Sequence, residues 1–172
     1  RTTDYLCDLT THVSQAGKKR YVDLKAVPES KCKVIPNGLC TNEYKFDKKE
    51  RKKIRDRYAQ RDFIWLAVGR FIPQKDYKNM IRAFNKIKER NMELWIIGKG
   101  SRKSEIQDLI DDLNVDGVKF LGTFPSEQIP SFMSAADGFV LSSHLEGFGI
   151  VLIEAMACKL PTVVTRSGGP ED

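Results

Sequence analysis

The sequence predicts an α/β fold in which helices cover both faces of a doubly wound parallel sheet. From residue 60 onward, short apolar runs alternate with amphipathic segments, an order that is typical of βαβ units. The runs are apolar without alternation, as is usual for strands buried on both faces. With 172 residues, of which 41% are hydrophobic, the chain is long enough to bury a core of ordinary size.

The predicted elements follow one another in regular order after a lead-in. Residues 1–30 are predicted to form that lead-in, with a helix over 14–26 ended by Pro28, and residues 31–172 the main domain. Ile35-Pro36-Asn37-Gly38 predicts a strand end and a turn, because Asn-Gly favours positive φ. The predicted strands are 62–69, 92–97, 118–121, 137–141 and 161–165. The predicted helices are 77–90, a segment capped by Ser101 and reaching Leu113, 126–136 and 150–158.

The net charge of +6 is concentrated in one segment. Residues 47–61 hold eight basic and three acidic side chains, which leaves a net +5 there. Such a segment attracts anionic lipid or nucleic acid, although a solvated helix face is the simpler explanation. Few aromatic residues lie among the basic ones, so the sequence does not predict a surface on which the bases of single-stranded nucleic acid would stack.

The four cysteines indicate no metal site. They form no CxxC pair, and the chain has only two histidines. We expect reduced thiols, as in a cytoplasmic protein, with a Cys32–Cys40 disulfide as the alternative. No apolar run is long enough to cross a bilayer. Because the chain starts at Arg1 without a signal-like segment, we expect it to be a piece of a longer protein.

Two cations follow the first main strand, at the edge where an open parallel sheet binds ligands. This strand ends at Gly69, Arg70 follows directly, and Lys75 stands five residues beyond Arg70. Arginine by its fork and lysine as a point charge would together hold a diphosphate. The sequence therefore predicts an anion site at this edge.

Two carboxylates flank a glycine turn after the predicted strand 137–141. Glu146 precedes Gly147-Phe148-Gly149, and Glu154 stands alone in an apolar helix. Glycines at a helix start let the main chain and its free N–H groups approach an anion. Carboxylates beside a phosphate site suit a ligand that also carries hydroxyl groups, as a ribose and a sugar do. Capping by Glu146 and solvent exposure of Glu154 are the alternatives.

These motifs together resemble the retaining glycosyltransferases of family 4, which have the GT-B fold. The resemblance rests mainly on the block from Glu146 to Glu154, the E-x7-E motif of that family. It is supported by Ile35-Pro36-Asn37-Gly38, by Val68-Gly69-Arg70 with Lys75, and by Phe120-Leu121-Gly122. From about residue 30 to the end, it implies a Rossmann-like donor-binding domain. This is one half of a GT-B fold, with the N-terminal acceptor domain and the C-terminal closing helices absent.

The resemblance implies a role for each matching residue. Arg70 and Lys75 would hold the nucleotide diphosphate and neutralise charge on the leaving group, and Glu146 would meet the donor sugar. These three form the catalytic set. The donor-binding set comprises Gly69, the main chain of Gly147, Phe148, Gly149 and Ile150, then Glu154 for the ribose hydroxyls and, within residues 118–120, Phe120 facing the base.

The resemblance also implies substrates and partners. The donor would be a nucleotide-diphosphate sugar, and the acceptor a glycan, a lipid-linked molecule or another acceptor of polysaccharide biosynthesis. No cofactor and no metal are expected, in keeping with the lack of a DxD sequence. Without its N-terminal domain the fragment should bind nucleotide but transfer little or no sugar. Asp76 and Tyr77 after Lys75, and Lys99, depart from the family pattern and would alter donor preference.

Two other functions stay open. One is a sugar-nucleotide epimerase of the GT-B type, although the separate pairs Arg70/Lys75 and Glu146/Glu154 fit a transferase better. The other is a non-catalytic module that would bind anions or nucleic acid through residues 48–61. The same basic segment, in the transferase reading, would hold a cytoplasmic enzyme peripherally to an anionic membrane surface. His144 receives no role.

Overall fold

The computed structural model describes residues 7–87 and 91–172, which contain seven strands and six α-helices. The strands are β1 (Thr10–His12), β2 (Cys32–Val34), β3 (Phe63–Val68), β4 (Met92–Ile97), β5 (Val118–Gly122), β6 (Gly138–Leu141) and β7 (Thr162–Val164). The helices are α1 (Gln15–Asp23), α2 (Lys48–Tyr58), α3 (Tyr77–Asn85), α4 (Lys103–Asp112), α5 (Ile129–Ala135) and α6 (Ile150–Ala157).

Strands β3 to β7 form one parallel sheet in the order β5-β4-β3-β6-β7. The strand order reverses between β3 and β6, which are direct neighbours with Leu66 opposite Phe139. At such a switch point the helices that follow the two strands, α3 and α6, pack on opposite faces of the sheet and leave a crevice at its carboxyl edge. The sheet and its flanking helices confirm the predicted α/β fold.

The core consists of two buried clusters, one on each face of the sheet. Alternate strand residues point to opposite faces, so Leu66 and Trp95 join one cluster and Ala67 and Leu94 the other. The first cluster includes residues of α2, α5 and α6, and the second includes residues of α3 and α4. Helices therefore cover both faces, which explains why the strands are mostly apolar. The charged exceptions, Glu93 in β4 and Lys119 in β5, form an ion pair with each other.

Several predicted details differ from the structure. Helix α4 begins after Arg102 rather than at a Ser101 cap, because Gly100 packs against the Phe71 main chain and Arg102 N donates to the Phe71 carbonyl. Neither Asn37 nor Gly38 takes a positive φ, so the predicted turn there is wrong. Strand β1, which pairs in parallel with β2, was not predicted. The predicted helix end at 88–90 lies outside the described residues.

The basic segment forms α2, and its inner face packs on α5. Ile54 is buried, while Arg51 and Arg55 reach the carboxylate of Asp137 at 2.5 and 2.9 Å. Arg61, beyond the helix, pairs with Asp116. The other five cationic side chains form what we term the basic surface: Lys48, Lys49, Lys52, Lys53 and Arg57.

All four cysteines are free thiols, so the alternative disulfide between Cys32 and Cys40 does not form. Cys32 and Cys158 are buried, and Cys7 and Cys40 are exposed. Within residues 7–87 and 91–172, no helix has both the length and the apolar character needed to span a bilayer.

Candidate functional site

The loop after β3 carries the two predicted cations. Arg70 is exposed and makes no ion pair with any residue in the described ranges. Lys75 ends a short 3-10 turn, Pro73–Lys75, and its aliphatic stem returns to the end of the strand. A Cβ on Gly69 would lie 3.7 Å from Cε of Lys75. The aliphatic stem of Lys75 therefore lies alongside the end of β3.

Lys75 and Glu146 form an ion pair across the crevice between β3 and β6. Nζ of Lys75 lies 2.5 Å from Oε2 of Glu146, and the two side chains are 17% and 16% exposed. Solvent screens such a partly buried pair less than an exposed one. The residues are 71 positions apart and meet because their strands are neighbours. One predicted cation and one predicted acid are thus in direct contact.

Residues 142–144 connect the two loops that carry this pair. Ser142 Oγ lies 2.8 Å from the carbonyl oxygen of Lys75, and His144 N donates to the carbonyl of Gln74. Ser143 Oγ lies 3.2 Å from Oε2 of Glu146. Sequence reasoning missed both serines. The signal available was two adjacent small hydroxyl residues between an apolar strand and Glu146.

The exposed imidazole of His144 lies over the start of α3 rather than over Glu146. Its Nε2 is 3.0 Å from Oδ2 of Asp76, and the side chain is 70% exposed. Asp76 in turn caps α3, since its side chain accepts a hydrogen bond from Asn79 N. His144 therefore contacts the residue that caps α3.

The glycine turn brings two loops together main chain to main chain. Gly149 has φ 81° and precedes α6 without any side-chain cap, and a Cβ at this position would lie 3.4 Å from Glu146 Cγ. A Cβ on Gly169 would lie 2.4 Å from the carbonyl oxygen of Gly147. Glu146 N donates to Ser167 and Gly169 N donates to Glu146. The first N–H groups of α6 have no side-chain acceptor, which suits an anion.

Glu154 lies one turn into α6, half-buried, beside the Tyr44 hydroxyl and near Cys158. Burial raises the pKa of Glu154, and the hydrogen bond from Tyr44 partly opposes that rise. Burial and the neighbouring Glu154 charge raise the pKa of Tyr44 to about 12 and that of Cys158 to about 11. Within the described residues, Glu154 makes no hydrogen bond or ion pair with Lys75 or Glu146.

The other residues of the predicted donor-binding set differ in how exposed they are. The Phe120 ring packs edge-on against Phe71, with centroids 5.6 Å apart, and Lys103 Nζ lies 5.5 Å from its centroid. Phe148 is half-buried, and Ile150 is 38% exposed at the start of α6. Gly147 is exposed between them and Glu146. The arrangement offers a cation, uncapped helix N–H groups and carboxylates, which together can bind a ligand with both negative charge and hydroxyl groups.

Known proteins match both the sequence and the fold. The profile of the family described as Glycosyl transferases group 1 matches residues 48–172. A GDP-mannose-dependent alpha-(1-6)-phosphatidylinositol monomannoside mannosyltransferase of Mycolicibacterium smegmatis is 31% identical over 173 residues, covering 94% of this chain and 45% of that protein. Mannosylfructose-phosphate synthase of Agrobacterium fabrum is 35% identical over 148 residues, covering 79% and 33%.

Among solved structures, Anabaena Alr3699/HepE in complex with UDP and glucose superposes with a TM-score of 0.89 at 28% identity, covering 98% of this chain and 47% of that one. The same protein in complex with UDP-glucose gives a TM-score of 0.88. The chain thus spans less than half the length of each of these proteins.

Proposed function

The chain belongs to the glycosyl transferases group 1 family, within the GT-B superfamily, and we propose that it is the donor-binding domain of a retaining family 4 enzyme. Residues 31–172 form that domain, and the acceptor domain and closing helices belong to a longer parent chain. The observation that carries this proposal is the Lys75–Glu146 ion pair at the switch point of the sheet.

Arg70 and Lys75 hold the donor diphosphate. During transfer the bond between the anomeric carbon and the diphosphate oxygen breaks, and its electron pair stays on the diphosphate. Cations and helix-start N–H groups already in place stabilise the charge that develops there. Arg70 is exposed without an ion-pair partner among the described residues, and Lys75 ends the turn beside it. Both can therefore approach a phosphate from one strand end.

Glu146 and the turn that follows it receive the sugar. Every donor that contacts the Glu146 carboxylate within the described ranges reaches Oε2, which leaves Oε1 for sugar hydroxyl groups. The main chain of Gly147, Phe148 and Gly149, with Ile150, lies next to this carboxylate and adds N–H donors. Sugar and diphosphate would thus be bound on the two sides of the Lys75–Glu146 contact.

Glu154 binds the ribose hydroxyls, and the end of β5 near Phe120 faces the base. A single half-buried carboxylate in an apolar helix is costly unless it has partners, and Tyr44 is one such partner. The mannosyltransferase relative is named for GDP-mannose, and Alr3699/HepE holds UDP-glucose. Uridine and guanosine donors are therefore the two classes to compare.

Calorimetric titration of the 172-residue chain with UDP and GDP tests this proposal. We expect saturable binding of one of them, weakened roughly tenfold by either Arg70→Ala or Lys75→Ala, as loss of one charge-assisted contact predicts. Glu154→Ala should weaken binding similarly. Lys78→Ala is the matched control, because this exposed lysine pairs with Glu105 on α4. Unchanged affinity in both the Arg70 and Lys75 variants would refute the assignment.

The isolated chain should transfer little or no sugar, because transfer needs an oriented acceptor and exclusion of water between two domains. Incubation with UDP-glucose or GDP-mannose and a panel of acceptors, followed by mass spectrometry, measures this. Sustained turnover by residues 1–172 alone would contradict the assignment of the acceptor site to a second domain.

A further inference from the structure

Two adjacent buried serines follow β6, between the strand and the glycine turn. Ser142 is 4% exposed and Ser143 is fully buried. A hydroxyl group taken out of water needs a hydrogen-bond partner, and each serine has one on a different side of the crevice. Ser142 contacts the loop of Lys75, and Ser143 contacts the carboxylate of Glu146.

Ser142 holds the main chain on which Lys75 stands. Its Oγ lies 2.8 Å from the carbonyl oxygen of Lys75 and 2.9 Å from that of Asp76. Asp76 has φ 41°, a left-handed conformation that costs free energy for any residue with a Cβ. Such a turn persists only when neighbouring groups hold it, and the Ser142 hydroxyl is placed to do so.

Ser143 holds the Glu146 side chain and is itself anchored to the next strand. Its Oγ lies 3.2 Å from Oε2 of Glu146. Its carbonyl oxygen accepts a hydrogen bond of 2.6 Å from Oγ1 of Thr165, which directly follows β7. The main chain that carries this hydroxyl is therefore held by a contact that does not involve the loop of Lys75.

We infer that Ser142 and Ser143 are separate positioning residues, Ser142 for Lys75 and Ser143 for Glu146. This inference rests on the proposed function, in which Lys75 binds a diphosphate and Glu146 binds a sugar. When the ion pair opens, each partner keeps its own anchor. Ser143 retains Oε2 while Oε1 accepts a sugar hydroxyl, and Ser142 keeps the lysine at the strand end.

The two serines should affect different parts of the donor. Ser142→Ala should weaken UDP and UDP-glucose to the same extent, about fivefold, which is the factor one net hydrogen bond contributes. Ser143→Ala should leave UDP affinity unchanged and weaken UDP-glucose about fivefold. GDP and GDP-mannose are measured in parallel by calorimetry. Equal weakening of nucleotide and nucleotide-sugar by Ser143→Ala would overturn its assignment, and unchanged affinities in Ser142→Ala would overturn the other.

A merely structural role is separated by a double-mutant cycle and a control serine. If Ser143 acts through Glu146, Ser143→Ala should cause no further loss of UDP-glucose affinity in a Glu146→Gln background. The same loss in both backgrounds would show a structural role. Ser134→Ala is the control, since this buried hydroxyl accepts from Asp47 N at the base of α2. It should lower the melting temperature without changing either affinity.

Urea unfolding of the wild type, the two single variants and the double variant gives a readout that needs no ligand. Coupling between Ser143 and Glu146 in the unfolding free energy is expected, and additive effects would overturn the inference. If the wild type binds none of the four nucleotides, the proposed function fails. The unfolding cycle would still show whether Ser143 and Glu146 interact. Should Ser143→Ala not fold, Thr165→Val removes the anchor instead and should reproduce the loss of UDP-glucose affinity alone.

Discussion

Replacing Asp137 with alanine should cost the chain about 3 kcal/mol of unfolding free energy at pH 7. Asp137 directly precedes β6, and both of its carboxylate oxygens are occupied. Arg51 donates to Oδ1 at 2.5 Å, while Arg55 and the main-chain N–H of Ile64 donate to Oδ2 at 2.9 and 2.8 Å. Alanine would leave two guanidinium groups and one strand N–H without these acceptors.

The magnitude follows from the exposure and the remaining partners of the arginines. Hydrogen bonds to charged groups are worth about 1.5–3 kcal/mol each. The lower end or less applies, because the Arg51 and Arg55 side chains are 28% and 21% exposed and both keep the carbonyl of Ala135. About 1 kcal/mol for each of three bonds gives the total above, or roughly 6–12 °C in melting temperature for a domain of this size.

The pH dependence has a definite sign. Burial alone would raise the pKa of Asp137, but the hydrogen bonds from Arg51 and Arg55 outweigh it and hold the pKa below its ordinary value. A carboxyl group of this kind stabilises the fold above its unfolded pKa, about 3.9. That stabilisation is lost as the pH falls through the folded value. The difference between wild type and Asp137→Ala should therefore shrink below about pH 4.

Urea unfolding followed by tryptophan fluorescence, from pH 7 down to pH 3, measures both effects. Asp56→Asn is the control on the same side of the molecule, because its partner Lys52 lies on the exposed face of α2 and such pairs contribute little. A loss of less than about 1 kcal/mol at pH 7, or an equal loss at every pH, would refute the reasoning.

Three further predictions concern the site and the surface. Gly149→Ala should destabilise the chain by about 1–2 kcal/mol in thermal unfolding, since φ is 81° there, whereas Gly38→Ala, with open space around it, should not. Glu154→Gln should raise the unfolding free energy at pH 7 but not at pH 4, because burial raises the pKa of Glu154 and its ionised form therefore costs stability as the pH rises. Equal stability at pH 7 would contradict this. The basic surface should bind vesicles containing anionic lipid in a salt-dependent way that is lost when Lys48, Lys49, Lys52 and Lys53 become glutamine. Equal pelleting of both proteins, or stronger binding to RNA than to vesicles, would end that proposal.

The main sheet was predictable because its signals are local. Each strand from β3 to β7 is a mostly apolar run, with charged residues only at Glu93 and Lys119, and is bounded by a glycine, a proline or a polar residue. Helix α3 shows a clear apolar side with Met80, Ile81 and Phe84. Strand β1 was missed because three residues, Thr10–His12, carry no period. Its pairing with β2 depends on a contact between residues 22 positions apart, which no local pattern reports.

In the site, too, local motifs reveal some residues, whereas others become apparent only from the fold. Arg70, Lys75, Glu146 and Glu154 could be named from motifs and their positions after strands, and the contact between Lys75 and Glu146 follows from strand order. The partners that orient them could not be named in the same way. Ser142, Ser143 and Tyr44 are ordinary residues in sequence, and only the register of β6 and the path of residues 41–47 bring them to Lys75, Glu146 and Glu154.

The distance in sequence between Lys75 and Glu146 has a consequence for how ligand occupancy and folding depend on each other. Neither β3 with its loop nor β6 with its loop contains both groups, so a chain in which these strands have not paired has no crevice to occupy. Any nucleotide that binds there recognises only the fully assembled sheet. Occupancy should therefore raise the resistance of the entire domain to proteolysis and hydrogen exchange, from β5 through to β7, rather than that of the two loops alone.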